Sequence, residues 1–411
     1  MKFNFTDTLF ALSFALDCVE HDLLGVTTHH SKRVAAICAC MGKQLQLSDA
    51  QLLDLTACAL LHDNALTEYI QSEYFSAEND TVPENEKIKI HCVLGERNIS
   101  RLPFQGEVSG AVLYHHENAD GTGPLGKRWQ EIPMYARMIH LADQVDTHFD
   151  LSCMDTHKYN QLLTYLLDAR DTLFDAASID CFIHTFPFPS LLELTNENIS
   201  LFLKRHIPSL PYSYTNEQIL DFASVFAAII DYKSKFTRIH ALGIAQKAKQ
   251  LGLYYGYAQE KAAKLYLAGA LHDIGKLVVA SEVLEKPDKL TKEEYLHIQG
   301  HALATHQILE QIDGLQDIAS WASNHHEKLD GSGYPFHKTA ADLGFEERML
   351  ACLDIYQALT EQRPYKKGME HAQATDILMQ LVQKNQLDAT IVQDIDRCFS
   401  STSDEPRHLE A

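Results

Sequence analysis

At 411 residues and 46.4 kDa the chain is longer than one domain of about 100–200 residues, so two or three domains are expected. Hydrophobic residues at 45% and charged residues at 22% supply material for real cores and exclude a disordered or fibrous chain. Asp and Glu total 56 against 35 Lys and Arg, and a formal charge of -21 argues against a protein that tracks a nucleic-acid polymer.

The apolar stretch at the N-terminus, residues 3–19, is interrupted by Asp7 and Asp17 and falls short of the roughly 18 residues of a membrane span. It reads as the first helix of a domain, in a cytoplasmic chain with no membrane contact. Of the nine cysteines, the spacing of Cys38 and Cys40 suits neither a zinc knuckle nor a redox pair, so reduced thiols are expected.

Histidine is abundant, with 22 in the chain, and its positions expose a long-period repeat. His30, His62, His91, His115 and His116 recur 210 residues later as His240, His272, His301, His325 and His326. Asp63 matches Asp273 and Asp120 matches Asp330 in that frame, and Asp143 matches Asp354 after a slip of one. Two copies of one domain follow, 1–185 and 215–399. Between them 186–214 is a connection broken by Pro187, Pro189, Pro208 and Pro211, with at most a short helix at 199–206. In the second copy Leu220, Ala223, Phe226, Ala227 and Ile230 recur at helical steps, as do Ile298, Ala302, Thr305 and Leu309. The expected class is all-α, two tandem helical bundles, followed by a flexible polar tail at 400–411.

A lone histidine is usually a core or surface residue, but a cluster in one frame points to metal. His272-Asp273, His301, His325-His326 and Asp354 offer imidazole and carboxylate without thiolate, a set suited to iron or manganese rather than a structural zinc. With His240 the donors exceed what one ion uses. Two ions sharing Asp273 account for the number, and paired metals are a standard device for phosphate-ester hydrolysis.

The motifs of the second copy are His272-Asp273-Ile274-Gly275-Lys276, His325-His326-Glu327, Asp330-Gly331-Ser332-Gly333-Tyr334-Pro335, Asp354 and Arg363-Pro364-Tyr365-Lys366. From about 221 to 368 this copy resembles the HD-GYP subgroup of the HD-domain phosphohydrolases. The resemblance implies a tandem HD-type bundle that opens a cyclic dinucleotide, cyclic di-GMP or 3′,3′-cyclic GMP-AMP, to its linear form through a hydroxide bridging two divalent ions, in a chain that can pair as a homodimer. It also implies that His240, His272, Asp273, His301, His325, His326 and Asp354 are metal ligands, with Lys276 beside the scissile phosphate. Asp273 and Lys276 are then the catalytic pair. Arg363 and Lys366 are placed to grip phosphate, and Tyr365, Tyr334 and the Gly331–Gly333 loop to meet the base or to pack, the glycines supplying backbone angles closed to other residues. Some members hold a third metal with a Glu where this chain has Phe236, which points to two ions here. Two other readings stay open, a non-catalytic cyclic-dinucleotide receptor and an HD-type phosphohydrolase for other nucleotides.

The first copy keeps His30, His62, Asp63, His91, His115, His116 and Asp143, a second candidate metal set. It has Leu66 where the second copy has Lys276, Gly123-Pro124 without the tyrosine, and Ser152 where Arg363 would correspond. A regulatory or structural role is expected for it.

Overall fold

The computed structural model describes residues 2–4, 6–11, 13, 17, 29–65, 84–208, 212–231, 238–284, 286, 288–362 and 367–400. The chain divides into two compact units, one of residues 4–212 and one of residues 213–411 with 1–3. Among the described residues the only strands are Lys2–Phe3 and Tyr212–Ser213, and every other regular element is helical. None of these helices is long and apolar enough to cross a membrane.

The first unit runs α1 (His30–Gln44), α2 (Asp49–Leu60), α3 (Glu84–Ile99), α4 (Met134–Phe149), a 3-10 turn (Leu151–Cys153), α5 (Thr156–Asp168), α6 (Ala176–Thr185), α7 (Phe188–Leu191) and α8 (Ile199–His206). Residues 6–11 are also helical. Helix α1 is the centre, packed against α2, α4, α6 and α8. Its Ala35, Ala36, Cys38 and Ala39 are fully buried, and such small side chains let neighbours approach from several sides. Ser48 starts α2 with a capping box to Gln51, which satisfies two backbone donors at the helix start.

The stretch read as a connection, 186–214, is in its described part no open tether. Leu191, Leu194, Ile199, Phe202 and Leu203 are buried, α8 packs on α1, and the buried Arg33 guanidinium donates to Asn196 Oδ1 at 2.7 Å. Prolines break the helices there but do not stop an apolar segment from burying its side chains, at about 1.5–3 kcal/mol for each Leu, Ile or Phe. The segment thus belongs to the first unit as far as residue 208.

The second unit runs α9 (Asn216–Asp231), α10 (Arg238–Tyr254), α11 (Gln259–Leu271), a 3-10 turn (Ile274–Val278), α12 (Ser281–Leu284), α13 (Lys292–Glu310), α14 (Gln316–Ser323), α15 (Phe345–Thr360), α16 (His371–Gln383) and α17 (Ala389–Phe399). Helix α11 packs against α9, α10 and α14. Thr291 and Glu294 form a capping box at the start of α13.

The two units share a tie that the histidine frame does not announce. Asp388 caps α17 by accepting from Thr390 and Ile391 N–H and also takes Arg348 at 3.0 Å. In the first unit Asp175 caps α6 through Ser178 N–H and takes Arg137 at 3.1 Å. The tail 401–411 lies outside the described residues.

Candidate functional site

In the second unit the seven side chains singled out from the sequence converge from five places in the chain. His240 lies in α10, His272 and Asp273 at the C-terminal end of α11, His301 in α13, His325 and His326 just beyond α14, and Asp354 in α15. They form two half-sites with donor atoms within 4.8 Å of one another, His240 with His272 and Asp273, and His301 with His325 and His326. Asp273 lies between them, with Oδ2 3.1 Å from His272 Nε2 and Oδ1 3.4 Å from His301 Nε2. Asp354 also joins the two groups, at 3.0 Å from His240 Nε2 and 3.4 Å from His326 Nδ1.

The backbone decides which ring nitrogen faces inward. His272, His301 and His325 each donate Nδ1–H to the carbonyl three residues earlier, on Gly269, Ile298 and Ala322, at 2.7, 2.6 and 2.5 Å. That hydrogen bond leaves the Nε2 lone pair for the cluster. His301 Nε2 and His325 Nε2 then face each other at 3.4 Å, and buried Asp273 Oδ1 accepts no hydrogen bond. Lone pairs and carboxylate oxygens so close, without donors between them, repel unless a cation intervenes. The donor set therefore fits divalent metal.

Protonation is consistent with that fit. Burial pushes His301 down to about 4, and burial reinforced by His326 and His272 holds His325 well below its usual range. Burial would raise Asp273, but His272, Lys276 and His301 outweigh it and hold the carboxyl well below the carboxylate range. Neutral imidazoles and charged carboxylates are the states that ligate. His240 differs: burial opposes its charge, yet Asp354 and Glu361 raise it to about 9.

Neighbouring residues hold the ligands in place. Thr305 of α13 donates to His272 O at 2.9 Å and accepts from Gly275 N–H at 3.0 Å, pinning the turn that carries Asp273. A Cβ at Gly275 would overlap the His301 carbonyl oxygen, so α13 approaches this turn only over glycine. Lys276 lies on the same turn with Nζ 2.7 Å from Asp273 Oδ2.

Glu327 follows the histidine doublet and its carboxylate folds the next loop, accepting from Phe336 N–H at 2.6 Å and Lys338 N–H at 3.0 Å. The loop's two glycines do different work. Gly331 has φ +77°, whereas a Cβ at Gly333 would come within 2.5 Å of the Glu327 Cα. The expectation of special backbone angles thus holds for Gly331, while Gly333 provides space rather than an unusual φ. The loop sets the Tyr334 ring 4.8 Å from His326 and 6.4 Å from His301, at the edge of the cluster. Phe236, Arg363, Tyr365 and Lys366 lie outside the described residues, as does Leu66 of the first copy.

The first unit repeats the arrangement. Asp63 lies 3.3 Å from His62 Nε2 and 3.0 Å from His91 Nε2, and Asp143 lies 3.2 Å from His30 Nε2 and 4.0 Å from His116 Nδ1. His62 Nε2, His115 Nε2 and both nitrogens of His91 are buried without hydrogen-bond partners, the same sign of fit to a cation. Its Glu117 holds the matching loop through Leu125 N–H and Lys127 N–H, and Gly121 at φ +88° stands where the second copy has Gly331. Ser152, at the position matching Arg363, donates its hydroxyl to Asp150 at 2.6 Å. Cys92, buried 3.9 Å from His115 Nδ1, adds a thiol to this cluster that the histidine frame did not single out, at a position the second copy fills with Ala302.

An HD-domain family profile matches twice, over residues 21–177 and 223–391. The chain belongs to the HD-domain family. The two matches cover both clusters, so each unit is an HD domain. Over 405 residues the chain is 29% identical to the 3′3′-cGAMP-specific phosphodiesterase 1 of Vibrio cholerae, spanning 94% of this chain and 90% of that protein. It is 34% identical to a cyclic di-GMP phosphodiesterase of Pseudomonas aeruginosa over 143 residues, 34% of each. A crystal structure of a cyclic GMP-AMP-specific phosphodiesterase of V. cholerae has the same fold, with a TM-score of 0.65 at 23% identity, covering 98% of this chain and 99% of that one.

Proposed function

We propose that the second HD domain is a metal-dependent phosphodiesterase that opens a cyclic dinucleotide to the linear dinucleotide. The observation that carries this is the pair of half-sites on either side of Asp273, with unopposed lone pairs and a buried carboxylate oxygen that lacks a donor. Likeness over almost the whole chain to a relative named for 3′3′-cGAMP supports that dinucleotide as the first substrate to try, ahead of cyclic di-GMP.

In this reading His240, His272, Asp273 and Asp354 hold one ion, and Asp273, His301, His325 and His326 the other, with iron or manganese suited to the imidazole and carboxylate donors. Ions bound there supply charge neutralisation at phosphorus and an activated water. The chain's own residues do the rest. Lys276 presents a cation at the rim of the cluster and donates to a phosphate oxygen. Arg363 and Lys366 grip the second phosphate, and Tyr334 offers a ring face to a base, with Tyr365 available for the same contact. The first HD domain retains a metal set without the Lys276 and Arg363 counterparts, and serves as a regulatory or structural partner. The site of action is the cytoplasm, and the chain pairs as a homodimer.

The test is a substrate panel on manganese- or iron-loaded protein with 3′,3′-cyclic GMP-AMP, cyclic di-GMP and mononucleotides. Linear dinucleotide from a cyclic substrate, lost in His272→Ala, is expected. Tight binding of either cyclic dinucleotide, with product from neither, would replace the enzyme by a receptor, and turnover of mononucleotides alone would replace its substrate class.

A further inference from the structure

The first histidine of each cluster differs from those that use a backbone carbonyl. In the first domain His30 Nδ1 meets Asp146 Oδ2 at 2.7 Å, and Asp146 is in turn fixed by Arg33 Nε at 2.7 Å. In the shared frame Arg33 corresponds to Gly243 and Asp146 to Gln357, so the second domain has lost both partners. Its His240 is still held by a carboxylate. Nδ1 meets Glu361 Oε2 at 3.0 Å, one helical turn beyond Gln357, and the Glu361 side chain is buried. The residue at the Glu361 position in the first domain is Asp150, whose side chain instead caps the 3-10 turn through Ser152.

The second domain has rebuilt the surroundings to suit. Lys247 Nζ donates to Gln357 Oε1 at 2.7 Å, which turns the Gln357 amide nitrogen toward Glu361 Oε2 at 3.3 Å. Space for this is made at position 243, where any Cβ would overlap the Gln357 amide. Three substitutions therefore form one exchange: Arg33 and Asp146 of one copy against Gly243 and Gln357 of the other, with the carboxylate moved to Glu361.

We propose that Glu361 is the positioning residue for His240, taking over the role that Asp146 has in the first copy. Its carboxylate holds Nδ1–H, presents Nε2 beside Asp354, and strengthens the imidazole as a donor, as a carboxylate behind a ligating histidine does. This rests on the metal reading of the cluster but not on the identity of the substrate.

The test counts metal rather than product. Full-length protein carrying Asp63→Ala, so that bound metal reports on the second domain, is titrated with manganese or iron, and folding is monitored by circular dichroism. Glu361→Gln should weaken metal binding by about 10–100-fold, and the further change Gln357→Asp, which returns a carboxylate to the position used in the first domain, should recover most of the loss. Adding Gly243→Arg to that pair rebuilds the whole first-copy arrangement and is read in the same way if the double variant folds poorly. Wild-type affinity in Glu361→Gln overturns the proposal, and so does a folded double or triple variant that recovers nothing. Loss of metal without any cyclic-dinucleotide turnover in the parent would sink the enzymatic reading and leave this one standing, while a parent that takes up no metal sinks both.

Discussion

Single side chains decide whether the cluster is a metal centre or an assembly of buried polar groups. The five-imidazole frame was legible because ligands must recur at matched positions in a duplicated chain, and all seven residues of each copy do converge. The residues that hold them were not legible. Thr305, Glu361 and Asp146 act through at least two hydrogen bonds each, to rings, side chains or backbone atoms mostly far away in the chain, and contacts of that kind leave no spacing pattern. Glu327 stood in a motif without a stated role, and its geometry supplies one. Replacing it by Ala should remove two charge-assisted bonds to Phe336 and Lys338 N–H, at a cost on the order of 2 kcal/mol, and release Tyr334 from the cluster edge. Urea denaturation and the KM of the cyclic substrate check this. Unchanged values in both would remove Glu327 from the loop's support.

At the scale of elements, α13 matters most because it brings His301 and Thr305 against the turn after α11. Of the residues at helical steps, Ala302, Thr305 and Leu309 are buried while Ile298 is only half-buried, so the spacing marks the buried face from Ala302 onward. What spacing could not give is how closely the helix approaches. Thr305→Val keeps the shape but removes both hydrogen bonds to the turn, and should cost about 1–3 kcal/mol together with weaker metal retention. Gly275→Ala places a methyl on the His301 carbonyl and should destabilise by at least as much as other overpacked sites, about 1–3 kcal/mol. Thermal unfolding with and without manganese separates the two effects, since Thr305→Val should shrink the stabilisation that the metal gives. The 186–208 segment carries the complementary lesson. Proline density marks where helices stop, while burial of Leu191, Ile199 and Leu203 follows from apolar side chains that meet α1 and its neighbours, which proline counting does not register.

For the whole molecule, duplication explains both the length and the histidine content, and two copies allow each to serve as the comparison for the other. Both retain the donors, the capped Arg–Asp tie and the glutamate-held loop, whereas the lysine on the aspartate is shown only for the second. The acidic balance of -21 suits a small anionic ligand only where cations gather, and Lys276 with bound metal is such a place. Metal bound to the native state alone stabilises it by mass action, about 2.7 kcal/mol at one hundred times Kd for each site. Removing metal with a chelator should therefore lower the unfolding temperature, and Asp63→Ala and Asp273→Ala should each cancel part of the shift if both domains bind.

The central claim is that hydrolysis belongs to the second domain and passes through Asp273. The direct measurement is linear product from 3′,3′-cyclic GMP-AMP by manganese-loaded full-length protein, comparing wild type, Asp63→Ala and Asp273→Ala, each shown to be folded. Product from wild type and Asp63→Ala with none from Asp273→Ala is the expected result. Turnover that survives Asp273→Ala, or that Asp63→Ala alone abolishes, would contradict it.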